Sequence, residues 1–189
     1  MNDLTSFKGD FLVDAPAVGR KLTAFLSPTD LELINCSWQN YLRSGTADLP
    51  ALKRDSSSFN PRPARLIALL IEANPAPPLP LLLATFLLDC EQYPEPANSE
   101  EMDIAIEISM EVRSVPDRQT TVDSPINDLF LADLLDKMRH LHQSEISIRG
   151  KRDFILRVKH ILEWLAGSYR LKEKLAHSLR QQGKLLPDE

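Results

Sequence analysis

The sequence predicts an all-α fold: a compact, single-domain helical bundle over residues 1–189, with room for one small β-hairpin. Three observations predict it. Apolar residues recur at three- and four-residue steps through most of the chain, the spacing of one helix face. Prolines and polar clusters cut that pattern into helix-length pieces. The stretch Leu81–Cys90 is apolar almost all round, as a helix enclosed on every side must be.

The elements follow in order. Residues 1–26 carry no clear period. Ser27-Pro28-Thr29-Asp30 reads as a helix start: Ser27 caps, Pro28 suits the first position, and an acid follows where the helix dipole favours it. Leu31, Ile34, Trp38 and Tyr41 continue at helical spacing, and Gly45 is a natural stop. Residues 46–61 read as loop. A helix follows over 63–73, broken by Pro75, Pro77, Pro78 and Pro80. Leu81–Cys90 is the central helix, ended by Pro94 and Pro96.

Asn98-Ser99-Glu100-Glu101 then resembles a helix cap with an acidic first turn. The next residues conflict with it. Met102, Ile104, Ile106, Ile108, Met110 and Val112 alternate strictly, which is the strand period. The cap and the want of a partner strand favour helix. Residues 114–124 read as a polar loop around Pro116. A helix over 125–142 carries Leu131, Leu134, Leu135, Met138 and Leu141. Another begins near Gly150 with Phe154, Ile155, Val158, Ile161 and Leu162, and Gly167 interrupts it. A last helix uses Leu171, Leu175 and Leu179.

Composition excludes several classes. Hydrophobic residues at 43% and charged residues at 26% are those of a globular domain. The apolar run 79–88 is too short to span a bilayer, and the first eight residues show no signal-peptide pattern. The expectation is a cytoplasmic protein without membrane contact. Cys36 and Cys90 form no CxxC pair and read as small buried residues in a reducing compartment. Net charge is -5, unevenly spread: residues 1–136 hold 10 basic and 21 acidic side chains, residues 137–184 hold 12 and 4. The basic third could meet phosphate or the protein's own acidic part; an acidic whole chain argues against nucleic acid. No Gly-rich phosphate loop, GxSxG or zinc-ligand spacing is present.

One acid stands out. Asp133 lies inside the apolar helical run 131–141, beside Met138-Arg139. A buried carboxylate needs a cation or a metal, and an ion pair with Arg139 or another Arg is the simpler partner. His140 and His142 point to different sides of a helix, and His160 and His177 belong to separate helices. Surface or core histidine is the plain reading of each.

Three segments, in order, resemble the hydrolase half of the alarmone (guanosine tetra- and pentaphosphate) synthetase-hydrolases, in the HD-domain superfamily. Leu26-Ser27-Pro28-Thr29-Asp30 with Ile34 is similar to that domain's opening helix. Ala84-Thr85-Phe86-Leu87-Leu88-Asp89 resembles its central helix, and Leu131-Ala132-Asp133 with Met138-Arg139 its LADRxxNMR-type helix. The likeness covers residues 26–165, leaving 166–189 as a C-terminal helix and tail. It implies a divalent ion, usually manganese, held by a His, a His-Asp pair and a distant Asp, which would activate a water. Asn60 stands where the first His is expected and Leu88 where the second is; Asp89 and Asp133 keep the two acids. Such a remnant suits weakly held Mg²⁺ better than Mn²⁺.

The resemblance therefore implies a degenerate HD-like domain that binds rather than cleaves. Its ligand would be a guanine nucleotide or another phosphate compound. Lys53, Arg54, Asn60 and Arg139, with Arg149 beyond them, are the candidate contacts. Two alternatives stay open: a Mg- or Mn-dependent pyrophosphohydrolase using Asp89 and Asp133, and a protein-interaction subunit or homo-oligomer.

Overall fold

A computed structural model describes residues 8–44, 61–88, 99–118, 123–141, 144 and 146–185. Among these there are nine helices and no strand. No helix among them is long and apolar enough to cross a membrane. The chain divides into two compact units, Met1–Met110 and Glu111–Glu189, and the division falls inside one helix.

The first unit holds α1 (Phe11–Asp14), α2 (Pro16–Leu22), α3 (Pro28–Arg43), α4 (Arg62–Ala73), α5 (Leu79–Leu87) and the start of α6 (Glu100–Arg118). The predicted start of α3 forms as a capping box. Ser27 Oγ accepts from Asp30 N at 3.2 Å and Asp30 Oδ2 accepts from Ser27 N at 3.0 Å. Helix α5 is the buried centre: every residue from Leu81 to Leu87 is inaccessible, and α3 and α4 pack against it. Thr85, its one hydroxyl, donates to Leu82 O at 2.7 Å, so the apolar helix carries no unmet polar group there.

Helices α1 and α2 have no counterpart in the sequence reading. Asp10 caps α1 through Leu12 N, and Pro16 opens α2. Phe11, fully buried, sets its ring edge-on to Trp38 at 5.8 Å and to Phe86 at 5.6 Å.

Helix α6 resolves the conflict over 102–112. The segment is helical, and its buried positions are Met102, Ala105, Ser109, Val112 and Val115. Only two of the six alternating apolar residues are among them. The loop expected over 114–124 begins later, because α6 continues through Pro116 to Arg118. Proline removes the ladder bond that its own nitrogen would make and crowds the carbonyl four residues back; the helix ends two residues later, at Arg118, with Val112 and Val115 buried on its last turns. Cys36 is exposed rather than buried; it lies between Ile34 and Trp38 on α3, off the face those two bury. Gly45 and Cys90 lie outside the described residues.

The second unit is built on α7 (Pro125–Arg139), α8 (Ile148–Trp164) and α9 (Tyr169–Leu185). Helix α9 packs against both α7 and α8. Ser124 caps α7 by accepting from Ile126 N at 3.2 Å, with Pro125 at the first position. Gly167, in the link between α8 and α9, has φ +156°, and a Cβ there would sit 2.7 Å from Leu131 Cδ1. The neighbouring Ser168 N donates to Asp128 Oδ1 at 2.6 Å. A residue without a side chain lets this link lie flat on α7.

Candidate anion-binding site

Helix α7 positions both the acid and the cation that the sequence marked. Its residues from Leu129 to Asp136 are all buried, Asp133 and Asp136 included. Asp133 has its cation: Lys137 Nζ donates to Asp133 Oδ2 at 2.7 Å. The expected Arg139 partner is replaced for a geometric reason. Lys137 is four residues on, one turn along the same face, whereas six residues carry Arg139 well round the helix. Lys137 keeps half of its side chain in water, so the pair is a partly solvated one that spares Asp133 the full cost of burial.

Asp136, one turn from Asp133, was not singled out in the sequence. Its backbone carbonyl lies 2.9 Å from His140 Nδ1 and its Oδ1 3.9 Å from the same nitrogen. Among the described residues no group of three His, Cys, Asp or Glu side chains is arranged to hold a metal ion. Asp89, Asn60, Lys53 and Arg54 lie outside the described residues, as does His142. His160 is exposed on α8, with Glu163 Oε2 3.5 Å from its Nδ1. Arg149 is exposed in the first turn of α8.

Arg139 ends α7 and is exposed. It lines a hollow of about 430 Å³ together with side chains of α9, chiefly Glu173, Lys174, His177, Arg180 and Gln181. The sequence explains why α9 offers these groups here. Leu171, Leu175, Ser178 and Gln182 occupy its buried face, so the residues between them, at three- and four-residue spacing, fall on the outer face. The hollow thus gathers three permanent cations, Arg139, Lys174 and Arg180, against one carboxylate, Glu173. His177 and Gln181 meet at 2.7 Å between Nε2 atoms, an arrangement that orients the imidazole edge.

Two guanidinium groups and an ammonium around one concavity can take a compact anion by charge-assisted hydrogen bonds. The volume suits a small phosphate compound. Of the residues that form it, the sequence reading named Arg139 as a phosphate contact and named His177 only as a plain histidine. Lys174, Arg180 and Gln181 were missed, although the basic excess of the last third and the Leu171/Leu175/Leu179 stripe together marked their face.

The chain matches no protein-family model, no curated protein and no solved structure.

Proposed function

We infer that this chain is a non-catalytic helical module that binds a phosphate-bearing ligand, with a guanine nucleotide polyphosphate as the ligand the sequence resemblance implies. One observation carries the reading: Arg139, marked in the sequence as a phosphate contact, opens onto a hollow shared with Lys174, His177 and Arg180. The two packed helices fix where these cations are anchored, and the exposed Arg139 and Arg180 side chains order as the ligand binds. The pairing of Asp133 with Lys137 supports a structural role for that acid and a binding, not cleaving, module.

The test is titration calorimetry with guanosine tetraphosphate and with pyrophosphate, in chelator. The reading expects saturable binding that weakens at least about tenfold in Arg139→Ala/Arg180→Ala, the loss of two charge-assisted contacts. No heat at millimolar ligand overturns it. Turnover of either compound with Mg²⁺ or Mn²⁺, abolished in Asp133→Ala, would instead restore the pyrophosphohydrolase alternative.

A further inference from the structure

Among the described residues that line the α7–α9 hollow, His177 alone is of the type that gains and loses charge between about pH 5 and 8. Its setting on α9 is specific. Gln181 lies four residues on, one turn along the same row, and the two Nε2 atoms are 2.7 Å apart. An amide nitrogen can only donate. Gln181 therefore donates to an unprotonated His177 Nε2, and the ring's proton sits on Nδ1. This is the uncharged imidazole. Protonation at Nε2 would set donor against donor. Half a turn of the exposed Gln181 amide then replaces its nitrogen by Oε1 as the acceptor. The pair thus survives in both charge states and keeps the ring in one place.

The charged groups around His177 come from two helices. Arg139 belongs to α7, and Glu173, Lys174 and Arg180 to α9 itself; α8, the other helix packed on α9, contributes none of the described lining. Lys174 already has an interaction of its own, while Arg139 and Arg180 are exposed. The three cations repel a charge on the ring, and Glu173, one turn before His177, attracts one. An anion in the hollow offsets the cations and so favours the charged ring.

We propose that His177 is a proton-linked contact of this site: uncharged it is held by Gln181 as a neutral donor, and protonated it becomes a further cation on the bound anion. The inference rests on the anion-binding reading of the hollow and adds its regulation by pH. Linkage fixes the sign. If the anion favours the charged ring, the charged ring favours the anion by the same factor. Binding therefore takes up a proton, strengthens in acid and weakens as pH rises through the imidazole range.

Calorimetry of the full chain with sulfate tests it, because sulfate stays a dianion throughout this range and pyrophosphate does not. At constant ionic strength the affinity at about pH 5.5 exceeds that at about pH 8 by about three- to fivefold. At about pH 6.5 the heat varies with the ionisation enthalpy of the buffer, in the sense of proton uptake. His177→Gln, which stays uncharged, binds sulfate equally at both pH values and loses the buffer dependence. His177→Lys, a fixed cation, also binds equally at both. His140→Gln, on α7 outside the hollow, keeps the full ratio. Equal affinity at both pH values in the native chain, or a ratio that survives His177→Gln, overturns the inference and leaves the ligand reading standing. No sulfate heat at either pH also overturns it, and a pyrophosphate titration under the same conditions then shows whether the ligand reading falls with it.

Discussion

Asp14 shows how much one residue can hold. Its carboxylate accepts from Lys8 N at 2.9 Å, Gly9 N at 3.0 Å and Trp38 Nε1 at 2.8 Å, tying the chain before α1 to α3. Removing it leaves the buried Trp38 indole N–H without this acceptor. Asp14→Ala is expected to cost about 2 kcal/mol, read as a lower urea midpoint with tryptophan fluorescence. Gly167 is the second such point. Its backbone angle and the 2.7 Å that would separate an added Cβ from Leu131 Cδ1 leave no room for alanine. Gly167→Ala should destabilise by about 1–3 kcal/mol in the same measurement. Asp128 adds a pH dependence. Burial raises its carboxyl above the usual value; the Ser168 N–H opposes this, and the negative charge of Asp123 reinforces it. A raised native pKa means that the folded chain holds the proton longer than the unfolded one. Its contribution is therefore full in acid and is lost as pH rises through the raised value. Asp128→Asn keeps an oxygen for Ser168 N and cannot ionise. Its urea midpoint relative to the native chain should climb from about pH 4 to pH 7; a constant difference would refute the assignment.

At the scale of elements, legibility followed the physics that builds each helix. Helix α3 was readable because a cap, a proline and an apolar stripe agree at its start, and α4 and α5 because prolines bound apolar runs of helical length. Ser27→Ala should cost about 1 kcal/mol by thermal melting, the usual worth of such a cap. Helices α1 and α2 were not readable. They are four and seven residues long, too short to show a period, and contacts with distant residues hold them: Asn35 Oδ1 takes Phe11 N at 2.8 Å. Helix α6 misled for a third reason. Its alternating isoleucines and methionines spell a strand, while its buried seam passes through Ala105 and Ser109, both fully inaccessible and too small or too polar to register as core. The seam predicts the mutational pattern. Ala105→Glu should destabilise by about 3 kcal/mol, whereas Ile104→Lys, at a 39% exposed site, should stay within about 0.5 kcal/mol of the native chain. Equal effects in chemical denaturation would mean that the seam is misplaced.

For the whole molecule, the charge asymmetry was visible in the sequence and its use was not. A basic last third predicts some meeting with negative charge, but only folding shows which cations converge. Arg139 could be named from its helix. Lys174, His177 and Arg180 could not, because they reach the hollow through the register of α9 against α7, which depends on where Leu171 and Leu175 bury. Conversely, Asp133 read as a metal or ion-pair acid, and its local partner Lys137 was hidden by the more familiar arginine two residues on. The proposed binding role rests on the convergence at α7 and α9, and its reach can be measured directly. Titration of isotope-labelled protein with pyrophosphate, followed by amide and side-chain NMR, is the most direct test. The account predicts saturable shifts concentrated at Arg139, His177, Arg180 and Gln181, lost in Arg139→Ala/Arg180→Ala. Shifts scattered over the surface, or none at millimolar pyrophosphate, would contradict it.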